Sequence, residues 1–452
     1  MCARIYSALF LLTFLCMGSV VVAQQQPLTL QQAIEQALRQ NPQVAMANAD
    51  VKAAEADVSR ARSGLLPRLN FAEDLSRGND PVYVFGTRLR QQRFTQNDFA
   101  LNSLNRPTPI GNFASRFSGS WMLFNWFGTQ EQIKSARFVA ASTASMGETA
   151  NQAIVLRVVE AYQAFLYAHK RVDVAQHEET TAEALLSDAK RKVHAGLAVD
   201  SDSLAAQVNL SERQQARISA EGEVDVAWAD LETAMGINVS SPRATLVPIQ
   251  ARSFPEGNLA EDIASALKVR PDLKALHQQT SARVAAVKSV KDSFAPKVSA
   301  YGNWEMDKAS FAGDGGNNWV AGVQLSLDIF PLEKRAQLAQ ERAAQQKAEA
   351  QERAQEQQIR LVVNRAWTEH RTAERIVATA QASMEQSAES LRILQNRYKS
   401  GLATMTDLLR AEDAQRQSQS DYWHAVYGNT VAYAALMYST GNLTPESAET
   451  LQ

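Results

Sequence analysis

The sequence predicts a mainly α-helical fold with a small β part, built from two tandem copies of one structural plan. Three observations predict this fold class: an internal repeat, two long stretches almost free of proline, and four short segments that alternate apolar and polar residues. Of the 452 residues, 45% are hydrophobic and 21% are charged, a composition typical of folded proteins. The formal net charge of −2 gives no basic excess, so nucleic acid is not expected as a partner.

The internal repeat is visible as residues that recur at a fixed separation. Pro42 and Pro67 recur as Pro271 and Pro296, each 229 residues later. Several apolar residues around these prolines recur at the same separation. A constant separation over such a stretch indicates duplication of a whole structural unit.

Farther along the chain the separation becomes shorter. Phe124 recurs as Phe330 after 206 residues, and Gly196 recurs as Gly401 after 205 residues. The first copy therefore contains an insertion of 23 residues between Pro67 and Phe124 that the second copy lacks.

Each copy has the same predicted order of elements: a helix pair, a β-hairpin, a very long helix and a return helix. Proline lacks a backbone donor and disfavours helix in the residue before it, so the prolines should break and end each helix pair. Each long helix spans 69 residues, which is roughly 100 Å at 1.5 Å per residue. The predicted divisions are a signal peptide at 1–23, a first repeat at 24–237 with hairpin 68–124, long helix 126–194 and return helix 200–236, a linker at 238–258, a second repeat at 259–441 with hairpin 297–330, long helix 331–399 and return helix 404–440, and a C-terminal tail at 442–452.

The first 23 residues have the pattern of a secretory signal peptide. One arginine precedes an apolar run, and the small residue Ala23 suits cleavage after that position. A lipoprotein signal at Cys16 is the alternative, but Leu15 stands where lipoprotein processing prefers a small residue. Cleavage after Ala23 would remove Cys2 and Cys16, the chain's two cysteines, and leave no thiol for disulfides. Beyond residue 23, no window of about 18 apolar residues predicts a transmembrane helix.

The long helices carry a narrow apolar seam. Its members alternate three and four residues apart, which is the spacing of coiled-coil packing. Periodicity alone favours a solvated coiled coil. In the second copy the seam comprises Val377, Ala380, Met384, Ser387, Leu391, Leu394 and Tyr398, and in the first copy Val172, Ala175, Glu179, Ala182, Leu186, Ala189 and Val193.

Four segments alternate with the period of a β-strand. Segments of about 9–11 residues with one apolar and one polar face are typical of a membrane barrel wall, although a soluble sheet alternates in the same way. Four strands cannot close a membrane barrel, which needs about eight, so membrane-spanning strands would have to come from several chains. The clearest apolar faces contain Phe113, Phe117, Trp121 and Leu123 in the second segment, and Trp319, Ala321, Val323, Leu325, Leu327 and Ile329 in the fourth.

Taken in order, these features resemble the TolC family of outer-membrane efflux proteins. The resemblance covers residues 27–441 and rests on the duplicated order, on the prolines, and on two turns that begin Gly-Leu-Ala and contain an aspartate, at 196–202 and 401–407. It implies a homotrimer in the cell outer membrane, with a 12-stranded barrel in the lipid and an α-helical barrel in the periplasm. Expected partners are a periplasmic adaptor (membrane fusion) protein, an inner-membrane pump of the proton-driven or ABC type, and outer-membrane lipid.

The function that this resemblance implies is a passive, gated conduit for substrates expelled by the pump. The exit duct of a type I protein secretion system is an alternative with the same architecture. A periplasmic coiled-coil scaffold without a pore is an alternative of a different class.

The resemblance also implies roles for residues at the periplasmic tip. The two turns, with Gly196 and Leu197 in the first copy and Gly401 and Leu402 in the second, match the tip on which adaptors dock. On this topology the insertion lies outside the cell, either as a loop that narrows the outer mouth or as a longer strand tip.

The predicted gate lies beside these turns. The resemblance places an inward ring of carboxylates at Asp407, and matches Asp202 and Tyr398 to positions that hold the closed state together. Arg410 stands where the family has a second aspartate, and Ala403 where it has an arginine, so Arg410 could pair with Asp407 or with Asp202 and neutralise the ring. Helix capping is the alternative role for both aspartates, and seam packing for the tyrosine.

No pattern predicts an enzyme, a cofactor or a metal site. The six histidines lack the spacing of metal ligands, and no Gly-rich phosphate loop or Gly-x-Ser-x-Gly element occurs.

Overall fold

The fold is described from a computed structural model, in residues 27–239, 247 and 249–451. The predicted signal peptide and part of the predicted linker lie outside these residues. No helix in the described part of the chain is both long enough and apolar enough to cross a membrane.

The first copy follows the predicted order, with additional helices inside its hairpin. Its elements are α1 (Leu30–Gln40), α2 (Pro42–Arg62), β1 (Arg68–Gly78), α3 (Pro81–Arg90), α4 (Leu101–Asn105), β2 (Ile110–Phe124), α5 (Gly128–His194) and α6 (Asp200–Met235), with short 3-10 helices at Ser63–Leu65 and Gln96–Phe99. The insertion is therefore helical, and the alternative of a longer strand tip is wrong.

The second copy has the same order with a short turn in its hairpin. Its elements are α7 (Leu259–Val269), α8 (Pro271–Asp292), β3 (Lys297–Lys308), β4 (Gly315–Ser326), α9 (Leu332–Lys399) and α10 (Met405–Ser439), followed by a 3-10 helix at Ser447–Leu451. Strand β4 ends at Ser326, so Leu327 and Ile329 lie beyond the strand to which the alternation assigned them.

The return helix of each copy ends against the break in that copy's helix pair. Asn41 Nδ2 donates to the Ala234 carbonyl at 2.9 Å, and Arg270 Nη1 donates to the Ser439 carbonyl at 2.8 Å. Gly236 has a φ of +74°, and a Cβ at this position would lie 2.5 Å from the Cα of Asn41. Glycine is required there because both the left-handed backbone and the close approach exclude a side chain.

The four strands form one antiparallel sheet in the order β1-β2-β3-β4, so the two hairpins join through β2 and β3. Paired residues in antiparallel strands point to the same face. One face carries a row of aromatic rings from all four strands: Phe71, Phe117, Trp304 and Trp319. The opposite face carries Arg116 and Glu305, joined at 3.1 Å. The sheet thus has one apolar and one polar face.

The main core lies where α1, α5, α6 and α10 meet. Tyr162 and Phe165 of α5 are fully buried there, and the Tyr162 hydroxyl donates to the Leu28 carbonyl at 2.9 Å. Leu451, near the C-terminus, is 1% exposed in the same core. The predicted fold class, mainly α-helical with four strands and long paired helices, is confirmed.

Candidate functional site

Both helical hairpins end in the same turn. Gly196 and Gly401 have φ values of +71° and +74°, and in each turn the backbone N–H groups of the glycine and the following leucine donate to carbonyls in the last turn of the long helix. This is the Schellman closure, which satisfies carbonyls that a helix end leaves free. The acceptors are Val193 and Lys192 in the first copy and Tyr398 and Arg397 in the second.

The leucine after each glycine projects from the tip. Leu197 is 79% exposed and Leu402 is 69% exposed. Large apolar side chains left this exposed at the end of a hairpin suit contact with a partner protein. All four residues predicted for the docking tip therefore lie together at the two turns.

The second-copy turn starts its return helix with a complete capping box. Asp407 Oδ2 accepts from the Thr404 hydroxyl at 2.6 Å and from the Thr404 backbone N–H at 3.1 Å, while the Asp407 N–H donates to the Thr404 hydroxyl oxygen at 3.2 Å. The bonds from Thr404 lower the pKa of Asp407, with smaller contributions from Arg410 and Arg397. The capping alternative for Asp407 is thus realised within one chain, and it holds this carboxylate in its ionised form.

The first-copy turn lacks that cap. Val199 occupies the position of Thr404, and it has no side-chain acceptor for the helix N-terminus. Asp202, at the position of Asp407, is near enough to Tyr398 of α9 to raise the pKa of the Tyr398 hydroxyl. Asp202 is therefore within electrostatic range of Tyr398, although no hydrogen bond to the Tyr398 hydroxyl forms among the described residues.

Tyr398 lies at the junction of the two copies. It is 8% exposed, and its hydroxyl has no hydrogen-bond partner among the described residues. Burial is the main cause of its raised pKa, followed by the carboxylates of Asp202 and Asp188. Lys192 Nζ of α5 lies 3.8 Å from the centre of the Tyr398 ring and 3.3 Å from Asp188 Oδ2. The Lys192 cation over the ring holds α9 against the first copy.

A small apolar core supports this junction. It joins α5 and α6 of the first copy to Tyr398, Met405 and Leu408 of the second. The predicted seam residues Ala182, Leu186 and Ala189 belong to it. Near the tip, the first-copy seam therefore packs against α6 of its own copy and against α9 and α10 of the second copy.

Away from the tip, a cluster of charged residues joins α5, α6 and α10. Arg213 of α6 is 9% exposed and donates to Asn209 Oδ1 at 3.0 Å and to Asp413 Oδ1 of α10 at 2.5 Å. Glu178 of α5 lies 4.0 Å from the same guanidinium. Sequence reasoning missed this cluster, since scattered charges on long helices look like solvated faces until the neighbouring helices are known.

Two carboxyl groups in this cluster have raised pKa values. Burial raises the pKa of Glu412 to about 7, against the opposing effect of Arg213. Burial also raises the pKa of Glu178, while Arg213 and Arg416 oppose the shift. The cluster therefore contains more acidic groups than its arginines neutralise.

Arg410 lies in an open groove at the tip. It is exposed and lowers the pKa of Asp407 at a distance, but no ion pair joins the two side chains in the described part of the chain. Nor is any group of three or more His, Cys, Asp or Glu side chains among the described residues arranged to hold a metal ion.

A sheet with an apolar face at one end and two long helical hairpins at the other define the molecule as an outer-membrane channel protein. A family model described as outer membrane efflux protein matches residues 33–237 and 263–442. The chain belongs to this family.

Individual relatives are distant but span nearly the whole chain. The alkaline protease secretion protein AprF of Pseudomonas aeruginosa is 22% identical, over 91% of this chain and 84% of the relative. The outer membrane protein OprJ of the same species is 25% identical, over 90% and 82%. Among solved structures, the CmeC outer membrane channel of Campylobacter jejuni superposes with a TM-score of 0.78 at 15% identity, over 91% of this chain and 85% of CmeC.

Proposed function

We propose that three copies of this chain form a passive, gated conduit through the outer membrane, as the outer-membrane part of a tripartite efflux system. The observation that carries this proposal is the pairing of an open, two-faced sheet with helical hairpins long enough to cross much of the periplasm. Helices α5 and α9 have 67 and 68 residues, or about 100 Å each.

The sheet requires partners because both of its edges, β1 and β4, are unpaired within the described part of the chain. Unpaired backbone groups in lipid cost several kcal/mol each, so a membrane-spanning sheet must close on itself. Three copies supply twelve strands, which meets the minimum of about eight for a membrane barrel. The apolar face, with Leu69 83% exposed and Trp319 77% exposed, then contacts lipid, and the polar face lines the pore.

The gate lies at the opposite end, where α9 and α10 meet the first copy. Opening moves the second-copy tip away from α5 and α6, and so separates Tyr398 from Asp202 and Lys192. The ring of three Asp407 carboxylates, each fixed by its cap and accompanied by Arg410, stands at the mouth. Carboxylates held this way attract cations, and Arg410 weakens that preference.

The tip is also the proposed docking surface for a periplasmic adaptor that brings an inner-membrane pump. Leu197 and Leu402 provide six exposed apolar contacts per trimer. The chain then acts as a conduit without an active site, and the pump supplies the energy.

Purification from outer membranes followed by planar-bilayer recording tests this proposal. We expect a heat-resistant trimer with low conductance that rises when adaptor and pump are added. A monomeric protein in the soluble fraction, without conductance, would instead support a coiled-coil scaffold.

A second function, the exit duct of a type I protein secretion system, is favoured by the similarity to the secretion protein AprF. The two functions differ in the pump that engages the tip. Crosslinking from a photoreactive residue at position 402 distinguishes them, because it captures an adaptor associated with either a proton-driven pump or an ABC exporter.

A further inference from the structure

The connection between β1 and β2, residues 79–109, contains the 23-residue insertion and folds as one packed unit. The rings of Phe85, Phe94 and Phe99 pack edge to face, with centres 4.8 to 6.5 Å apart. Arg88 forms an ion pair with Asp98, which also accepts from the Thr95 backbone N–H at 2.7 Å. This unit therefore has a defined shape rather than that of a loose loop.

The unit is docked on the sheet by buried polar contacts. Gln91 is 4% exposed, and its Nε2 donates to the Gly111 carbonyl at 3.0 Å and to Asn112 Oδ1 at 2.9 Å. Asn112 Nδ2 in turn donates to Asp307 Oδ1 at 2.6 Å, and Asp307 is completely buried. Buried polar groups that are all bonded in this way fix one arrangement.

The end of α3 contacts the two strands of the second hairpin as well. The Arg90 carbonyl accepts from Asn318 Nδ2 at 3.1 Å, and the Arg90 guanidinium lies 3.6 Å from Glu305. A Cβ at Gly316 would lie 1.8 Å from the Arg90 carbonyl oxygen, so a glycine is needed beneath this contact. The insertion thus reaches from the first hairpin onto β3 and β4.

All of these strand contacts are on the polar face of the sheet. Glu305 pairs with Arg116 on β2 and with Asn318 on β4, directly across the strands. The contacts of the insertion also lie at the end of the sheet that is farther from α5 and α9. If the proposed function holds, this face lines the pore, and the insertion lies inside its outer mouth.

The insertion is large compared with the diameter of a 12-stranded barrel, so three copies of it would obstruct the pore. Twelve strands spaced about 4.8 Å apart and tilted by about 40° enclose a ring roughly 24 Å across, measured between backbones. A helix with its side chains is about 10 Å thick, so three copies of α3 on the inner wall would occupy most of that ring. The second hairpin turns through residues 309–314 alone and adds no comparable mass.

We propose that the docked insertion is the size-selecting constriction of the outer mouth, and that it sets the largest molecule able to pass there. The inference rests on the proposed trimeric conduit. Because the contacts are buried and lie at the far end from the tip, this constriction stays in place whether the periplasmic gate is open or closed.

Chemical labelling from outside the cell tests the constriction without opening the gate. Ser120→Cys places a thiol on the polar face near the inner end of β2, and Ala312→Cys places a reference thiol on the exposed turn between β3 and β4. Both variants are treated with a small water-soluble maleimide and with maleimide-polyethylene glycols of increasing size. Each is compared in the natural chain and in a chain whose residues 79–109 are replaced by the sequence of 309–314.

We expect the small reagent to reach the Ser120→Cys thiol in both chains, and the large reagents to reach it only after the replacement, with labelling faster by at least about tenfold. A second pair of variants keeps residues 79–109 and so tests the constriction even if the chain with the replaced segment misfolds. Arg90→Ala with Gln91→Ala releases the docked unit and should admit intermediate reagents, whereas the matched exposed pair Arg93→Ala with Gln96→Ala should behave as the natural chain.

Equal access of every reagent to the Ser120→Cys thiol in the natural trimer would overturn the constriction while leaving the pore intact. Failure of even the small reagent, with Ala312→Cys fully labelled, would show that the polar face is not a water-filled lumen. That result would overturn the proposed function together with this inference.

Discussion

The two copies share one backbone plan but complete it with different side chains. Both tips use the same glycine closure, yet only the second has a capping box, between Thr404 and Asp407. At the first tip, Val199 leaves the helix start without a side-chain cap, and Asp202 lies near Tyr398 instead. The duplication therefore supplies the scaffold, and the differences between the copies determine which carboxylate caps its helix and which one acts on Tyr398.

The largest effect should come from the residue that connects the copies. Arg213→Met removes a buried cation that pairs with Asp413 and lies 4.0 Å from Glu178, which should lower stability by about 3 kcal/mol. Arg217→Met is the matched control, because Arg217 pairs with Glu179 and Glu221 in a more exposed position and should cost about 1 kcal/mol or less. Thermal melting of the purified proteins measures both. Equal melting temperatures for the two variants would show that Arg213 does not connect the copies.

The next largest difference should appear where each return helix ends. In Gly236→Ala the new Cβ meets the Asn41 backbone at 2.5 Å, whereas in Gly441→Ala it meets Arg270 at 3.1 Å or more. Both variants carry the strain of a left-handed alanine, so we expect losses of about 2 and about 1 kcal/mol. Urea unfolding of both proteins checks the order. A larger loss for Gly441→Ala would contradict the packing described at these two junctions.

Exchanging the capping residues of the two tips should exchange the stability of the helix starts at α6 and α10. Thr404→Val should cost about 1 kcal/mol, and Val199→Thr should recover a similar amount by giving Asp202 a capping partner. Hydrogen exchange at the first turns of α6 and α10 follows each change locally. Unchanged protection in both variants would mean that the capping box does not distinguish the two tips.

The smallest expected effect is a dependence of the closed tip on pH. Burial raises the pKa of Glu412 to about 7, so the closed arrangement favours its protonated form. As pH rises from about 5 through 7, ionisation of Glu412 beside Asp413 and Glu178 should weaken closure, and the channel should open more often. Glu412→Gln should remove most of this dependence in single-channel recordings between pH 5 and 8. A variant that keeps the full dependence would assign the titration to another group, Glu178 being the first candidate because its pKa is also raised.

The overall organisation could be predicted because it depends on local and repeating signals. Pro42 and Pro271 mark the helix breaks, and Gly196 and Gly401 mark the turns, since each acts through its own backbone. The apolar faces that carry Phe117 in β2 and Trp319 in β4 followed from alternation alone. Such signals need no knowledge of which elements become neighbours.

The contacts of the site could not be predicted in the same way. The ion cluster of Arg213, Glu178 and Asp413 forms between three helices that are far apart in sequence. The helical state of the insertion was missed as well, although Asp80 before Pro81 is a recognisable helix start, with Asp80 Oδ1 accepting from the Tyr83 N–H at 2.8 Å. The tertiary contacts that dock the insertion on the polar face leave no pattern in sequence.

We propose that the tip is closed by contacts between the second-copy helices and the first copy around Tyr398. Single-channel recording of purified Tyr398→Ala, beside wild type and Ile376→Ala, an exposed position on the same helix, checks this closure. We expect both variants to remain assembled, with a conductance that rises several-fold in Tyr398→Ala and stays at the wild-type level in Ile376→Ala. An intact Tyr398→Ala trimer with wild-type conductance would contradict it.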